Sequence, residues 1–200
     1  VSMLNKLAAS LAVSCVLALM LCAPAAAQNG TRSLVYVGSN GFDKGYTNFN
    51  AQMIAAGASG ADKGTSLADL TPYRLVLVST PRSGLDDASR AALRAFHAGG
   101  GVLILTVDGG GISAAAPASF NTLLGEIGST LRFVAGDNAP GCQTTTFVNP
   151  DHELTAGVTS IAWGYGSTVT GGDLIAAQNN LEILRAEDRI IVSGDSNIWS

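Results

Sequence analysis

Residues 85–111, LDDASRAALRAFHAGGGVLILTVDGGG, decide the fold class that the sequence predicts. Apolar side chains recur at helical spacing over Leu85–Phe96, and a glycine triplet ends the helix. The apolar run Val102–Val107 follows, and so short a run is typical of a strand covered on both faces. The stretch therefore predicts a helix, with Ser83 as its capping residue, that leads into a buried parallel strand.

The rest of the chain repeats this alternation. Further buried strands are predicted at Leu34–Val37, Leu75–Val78 and Arg189–Val192, and helices at Asn48–Ala56 and from Pro117 onwards. Extended segments are predicted at 131–134, 161–165, 169–177 and 181–184, whereas residues 58–66 contain no convincing strand. The sequence therefore predicts an α/β fold, a three-layer and mostly parallel sheet with helices on both faces.

The first 27 residues have the pattern of a secretory signal peptide. Lys6 precedes the apolar run Leu7–Leu21, and small residues lead up to Ala27. The run has about 15 residues, fewer than the roughly 20 that a membrane span needs. We therefore expect export to the periplasm or the extracellular space, with no membrane span after signal removal. A lipoprotein signal using Cys22 is the less favoured alternative, because bulky Leu21 stands before it.

Composition and charge limit the partners. The formal net charge is −4 and no cluster of Lys and Arg is present, which argues against nucleic acid as a partner. After signal removal only Cys142 remains, so an internal disulfide cannot form. The abundance of Gly, Ala, Thr, Ser and Asn with few charges favours a secreted bacterial protein.

Four of the predicted strands end in polar turns. The residues at these ends are Ser39, Asn40, Ser79, Thr80, Asp108, Gly109, Gly110, Asp195, Ser196 and Asn197. Because the carboxyl ends of parallel strands meet at one edge of a sheet, these residues form the predicted ligand-binding site. The two carboxylates could hold a metal ion or a sugar hydroxyl there. Alternatively, these residue types simply form the turns that end strands.

Known cofactor and metal motifs are missing from the sequence. Neither a P-loop nor a dinucleotide-binding glycine pattern is present, and the two histidines lack a zinc-ligand spacing. We therefore predict no cofactor and no resident metal. Four aromatic side chains could either stack on a sugar ring or lie in the core: Tyr46, Trp163, Tyr165 and Trp199.

The two histidines have different candidate roles. His97 lies in the last turn of the predicted helix, where a positive charge suits the helix dipole. His152 lies in a turn between two acidic residues, from which it could act as an acid or base. A hydrolase that uses Ser79, Asp108 and His152 is therefore the alternative function, although no nucleophile-elbow motif is present.

Four segments, taken in order, resemble the class I glutamine amidotransferase-like group of flavodoxin-like domains. They are residues 75–81, 91–105, 149–158 and 190–197, and the likeness is greatest to non-catalytic secreted branches. In catalytic members a cysteine nucleophile follows a buried strand. Here the corresponding strand ends in Asp108 and two glycines, so the resemblance implies no glutaminase activity.

Together these features predict a single domain over residues 28–200 that acts as an exported, non-enzymatic ligand-binding or interaction module. Its expected partner is a small molecule, a glycan or an envelope protein. A helix should follow the last strand, so we expect the chain to stop short of the end of its domain at Ser200.

The signal peptide gives a first prediction. When the chain is expressed in a host with a general secretion pathway, the exported protein should begin at Gln28, which intact-mass measurement checks. Replacing Ala25 and Ala27 by Leu should block cleavage, because signal peptidase needs small residues there. Recovery of only the uncleaved mass from the wild-type sequence would contradict the prediction.

Overall fold

The computed structural model describes residues 30–38, 41, 43, 45–109, 115–134 and 142–199. The predicted signal peptide lies outside these residues, as do Ser39, Asn40 and Gly110 of the predicted site. The described part of the chain forms one eight-stranded sheet, two two-stranded sheets and three α-helices.

The strands are β1 (Arg32–Tyr36), β2 (Gly60–Gly64), β3 (Tyr73–Ser79), β4 (Val102–Thr106), β5 (Arg132–Phe133), β6 (Gln143–Thr144), β7 (Phe147–Val148), β8 (Ala162–Trp163), β9 (Val169–Thr170), β10 (Asp173–Gln178), β11 (Leu181–Glu187) and β12 (Ile190–Ser193). The helices are α1 (Thr47–Ala55), α2 (Asp87–Ala98) and α3 (Ala115–Ile127). Two 3-10 turns lie at Glu153–Thr155 and Ser196–Trp199.

The large sheet is mixed, in the order β2-β1-β3-β4-β12-β11-β10-β7. The first five strands in this order, β2, β1, β3, β4 and β12, are mutually parallel. The pairings of β12 with β11, β11 with β10 and β10 with β7 are antiparallel. The predicted three-layer, mostly parallel flavodoxin-like sheet is therefore wrong. The physical reason is that two-residue turns join β10 to β11 and β11 to β12, and connections so short join only antiparallel strands.

The parallel centre of the sheet contains the apolar runs seen in the sequence. Val76 lies opposite Leu103, and Ile191 lies opposite Ile104, with all three strands parallel. These strands are buried on both faces, so they read as continuous apolar runs.

Alternate residues of these strands supply two separate cores. Leu75, Leu77 and Ile104 face one core, which α1 covers with Phe49 and Met53. The intervening residues face the second core, which α2 and α3 cover. The members of the second core that come from the same strands are Val76, Val78, Leu103 and Leu105.

Two local predictions also need correction. The side chain of Asp86, and not that of Ser83, caps α2 by accepting a hydrogen bond of 2.7 Å from the backbone N–H of Ser89. Residues 60–64 form a regular edge strand, β2, although the sequence there shows no apolar pattern. A strand at an edge that is only partly buried needs no apolar run, which explains why the pattern missed it.

Glycine substitutions test the close packing at the end of β12. A Cβ atom on Gly194 would lie 1.7 Å from the carbonyl oxygen of Ser167, whereas one on Gly125 in α3 meets nothing nearer than 3.9 Å. We expect Gly194→Ala to lower the free energy of unfolding by about 1–3 kcal/mol. Gly125→Ala should raise it by up to about 1 kcal/mol, because alanine is the better helix former. Chemical denaturation measures both, and equal effects of the two substitutions would contradict the packing described.

Candidate functional site

Side chains from three parallel strands and one loop meet where those strands end. Ser79 is the last residue of β3, Asp108 follows β4, and Asp195 and Ser196 follow β12. Tyr46, from the loop before α1, completes the group. We call these five residues the carboxyl-end cluster. All five are at least 98% buried.

Tyr46 links the two sides of the carboxyl-end cluster. Its hydroxyl is hydrogen bonded to the hydroxyl of Ser79 and also interacts with that of Ser196. Burial raises the pKa of the Tyr46 hydroxyl well above its ordinary value, and the nearby negative charge of Asp108 adds to this effect. Tyr46 therefore stays protonated and able to donate its hydrogen bond across the physiological range. Its backbone is left-handed, with φ of 50°, so the turn into α1 is held in a conformation that few side chains adopt.

Asp108 is held by the segment that follows β12. The Ser196 hydroxyl lies 2.8 and 2.7 Å from the two carboxylate oxygens, and the backbone N–H of Ser196 donates at 3.3 Å. The main-chain oxygen of Asp108 accepts a hydrogen bond of 3.3 Å from the Ser167 hydroxyl. The carboxylate thus joins the ends of two adjacent parallel strands.

Asp195 lies beside Asp108 and binds two further segments. Its carboxylate accepts hydrogen bonds from the backbone N–H of Gly164, and from the backbone N–H (2.9 Å) and side-chain amide (2.7 Å) of Asn197. The carboxyl group of Asp108 is also close enough to act on that of Asp195. Burial, with the hydrogen bond and charge of Asp108 adding to it, raises the pKa of Asp195 to about 6, and the backbone donors oppose this rise.

The predicted site residues that the structure describes therefore lie together, but they bind one another and nearby backbone groups. Thr80 and Gly109 also donate backbone N–H groups to the protein itself, namely to the carbonyls of Thr106 and Tyr165. A pair of adjacent carboxyl groups can act as acid and base in an open cleft. Here Asp108 is 2% exposed and Asp195 is fully buried, so a substrate has no access to them in this conformation.

Side chains of the types that bind metal ions are not clustered within the described residues. No group of three or more His, Cys, Asp or Glu side chains within them is arranged to hold an ion. The oxygens of Asp108 and Asp195 already accept hydrogen bonds from Ser196 and Asn197.

His152 lies at the opposite end of the sheet. It lines a cavity of about 300 Å³ with Glu153, Leu154, Asp173, Ala186, Glu187 and Asp188. Asp173 begins β10 and Asp188 precedes β12, and these two strands run in the same direction because each is antiparallel to β11. The cavity therefore lies at the amino end of β12, whereas the carboxyl-end cluster lies at the carboxyl end of that strand. The structure does not bring His152 to Ser79 and Asp108.

The remaining candidates divide between core and surface. Tyr46, Trp163 and Trp199 are buried, and among the four predicted sugar-stacking aromatics only Tyr165, at 60% exposure, is on the surface. His97 is 3.6 Å from the carboxylate of Asp188, and burial lowers its pKa. Cys142 is exposed and forms no disulfide with a described residue. None of the three helices of the described residues has the length and apolarity of a membrane span.

Comparison with known proteins concerns the fold. No protein-family model matches the chain, and no curated protein matches it. Among solved structures, the chain is similar to the "mmIFT52 N-terminal domain", with a TM-score of 0.64 and 13% sequence identity. The likeness covers 84% of this chain and 90% of that one.

The similarity to this solved structure contradicts the family that the sequence predicted. The assignment to the amidotransferase-like, flavodoxin-like group is wrong, because the fold matched is that of the mmIFT52 N-terminal domain and the sheet is mixed. The expectation of a bacterial protein, which rested on composition, conflicts with the same match. Amino-acid composition does not determine strand order or strand direction, and the likeness to the solved structure is a likeness in those two properties.

Sequence reasoning missed the residues that come from outside the strand ends. The sequence predicts for Tyr46 only sugar stacking or a place in the core, and it assigns Gly164 and Ser167 to no site. The one signal available was the Gly-Tyr-Gly run at 164–166, since glycines beside a short strand often mark a close backbone approach. A Cβ on Gly164 would lie 2.7 Å from the Asn197 amide nitrogen, which confirms such an approach.

The raised pKa of Asp195 predicts a pH dependence of stability. Asp195 binds its proton more tightly in the folded protein than in the unfolded chain. Its contribution to the free energy of unfolding is therefore complete below pH 3.8 and is lost as the pH rises through about 6. The loss amounts to at most about 3 kcal/mol. Asp195→Asn mimics the neutral carboxyl group, so its free energy of unfolding should lack this fall.

Urea denaturation at intervals from pH 4 to pH 8 measures the free energy of unfolding of the wild type and of the variant. The difference between the two free energies is then compared across the pH range. Asp173→Asn, at an exposed carboxylate, serves as the control and should follow the wild-type profile. Parallel profiles for wild type and Asp195→Asn would show that Asp195 does not titrate in this range.

Proposed function

We propose that this protein is a non-enzymatic interaction module, in which the carboxyl-end cluster holds the scaffold together. The observation that carries the proposal is the burial of all five cluster residues together with their hydrogen bonds to one another. Catalytic and ligand-binding groups have to reach their ligand, whereas groups that join strands do not. The carboxyl-end cluster is buried and joins strands, so its residues belong to the second kind.

The distribution of charge supports a contact surface at the antiparallel side of the sheet. Residues 142–150 and 154–172 contain no charged side chain. Two of the exposed large apolar side chains lie in these segments, Phe147 at 42% and Tyr165 at 60% exposure. The centres of protein interfaces are depleted in charge and enriched in aromatic residues. This surface therefore favours a protein partner over a charged ligand.

The likeness to the mmIFT52 N-terminal domain is consistent with this role, because the name describes a folding unit within a larger chain. The alternative hydrolase has less support, since its base, His152, lies at the far end of the sheet from Ser79 and Asp108. Export through the signal peptide is part of the proposal and rests on residues 1–27 alone.

Stability measurements on the carboxyl-end cluster separate a scaffold from a binding site. Ser196→Ala leaves the buried Asp108 carboxylate without its main donor, so we expect it to lower the free energy of unfolding by about 1–3 kcal/mol. The control is Ser83→Ala, at an exposed residue, which should have little effect. Residues kept for binding behave differently, because their replacement tends to leave stability unchanged or to raise it.

A ligand screen completes the test. Ca²⁺, Mg²⁺, Zn²⁺ and N-acetylglucosamine should leave the Tm of the wild-type protein unchanged. The proposal fails if one of them raises the Tm of the wild type and this increase is absent in Asp108→Asn. It also fails if Ser196→Ala is as stable as the wild type.

A further inference from the structure

A four-residue segment between β8 and β9 packs against the two carboxyl groups of the carboxyl-end cluster. We call residues 164–167 the flap, and Asp108 and Asp195 the carboxyl pair. The backbone N–H of Gly164 donates to the Asp195 carboxylate, and the Ser167 hydroxyl donates to the main-chain oxygen of Asp108 at 3.3 Å. A Cβ atom on Gly164 would lie 3.7 Å from that carboxylate. The flap is therefore part of the cover that keeps the carboxyl pair out of water.

Two main-chain hydrogen bonds also attach the flap to the strand ends. The Tyr165 carbonyl accepts one of 2.9 Å from the Gly109 N–H, and the Ser167 N–H donates one of 2.8 Å to the Gly194 carbonyl. The Tyr165 side chain is 60% exposed, and a glycine stands on each side of it. Because glycine accepts a wide range of backbone angles, the flap can swing outward about these two positions. Opening so short a segment costs less free energy than unfolding the whole domain.

Acids and neutral hydrogen-bond donors face Asp195. Asp108 acts on it from the end of β4, and Tyr46, which stays protonated, contacts the next residue of the chain. The donors from the flap and from the 3-10 turn are neutral: Gly164, Ser196 and Asn197. When both members of the carboxyl pair are ionised, two buried negative charges therefore lie near each other among neutral donors. Burial raises the pKa of Asp195 to about 6, so this second ionisation falls near physiological pH.

We propose that the flap is a pH-sensitive latch, which stays closed while one member of the carboxyl pair is protonated and opens as both become ionised. Opening lets water reach the two carboxylates, which relieves the cost of burying two like charges. It also moves Tyr165, one of the exposed aromatic residues of the contact surface proposed above. The inference goes beyond the proposed function, because it makes that surface respond to pH.

Native-state hydrogen exchange, followed by NMR, separates opening of the flap from unfolding of the whole domain. The amides of Gly164 and Ser167 are compared with that of Leu103, which donates at 2.9 Å to Arg189 between two central strands. Exchange through local opening does not depend on low concentrations of urea, whereas exchange through global unfolding becomes faster with urea. The flap amides should exchange by the local route and faster than Leu103.

The pH dependence of exchange identifies the group responsible. After correction for intrinsic exchange rates, the protection of the flap amides should fall by up to about 100-fold between pH 4 and pH 8. This limit follows from a pKa of about 6 for Asp195 in the closed state and 3.8 in the open state. Asp195→Asn cannot ionise, so its flap protection should stay constant. Asp173→Asn, at an exposed carboxylate, is the matched control and should follow the wild type.

A second variant, Asp108→Asn, keeps the test decisive if Asp195→Asn does not fold. It removes the facing charge but leaves Asp195 buried, so the fall in flap protection should be smaller than in the wild type. A wild-type fall in either variant overturns the proposal. So does flap protection that is independent of pH, or flap exchange with the rate and urea dependence of Leu103.

Discussion

The hydrogen bonds around the paired carboxyl groups of Asp108 and Asp195 hold together the central part of this structure. They join the ends of β4 and β12 to the Gly164 backbone and, through Ser196, to Tyr46 and β3. Buried carboxyl groups are costly unless every one is hydrogen bonded, so loss of one donor is felt across four chain segments. The position of α1 depends on the same network, because Tyr46 immediately precedes it.

The mixed sheet gives the molecule two sides with different properties. The parallel side has helices over its two cores and an edge that carries ion pairs. The antiparallel side is built from hairpins and short loops, and its outer strand lies in an uncharged segment with an exposed phenylalanine. A stable interior and an uncharged edge are compatible with the interaction module that we propose.

Much of the centre could be predicted from local pattern. The runs around Val76, Ile104 and Ile191 are so apolar that only strands buried on both faces accommodate them, and they do lie side by side in parallel. The turns after these strands were therefore expected to meet, and Ser79, Asp108, Asp195 and Ser196 do. The same pattern could not show that these side chains form hydrogen bonds with one another. It also could not show that Asp195 accepts a hydrogen bond from the backbone N–H of Gly164, which is 31 residues away in the chain.

The sequence by itself determined the buried strands, the amphipathic helices and the polar turns, because these follow from spacing over a few residues. Only the tertiary structure decided the direction of β10 and β11, the likeness in fold to a solved structure and the use of the strand ends. Strand direction depends on which neighbour each strand finds, and burial of a polar turn depends on loops far away in the chain. Neither quantity is encoded in a local pattern, so His152 and Asp108 looked like partners and lie at opposite ends of the sheet.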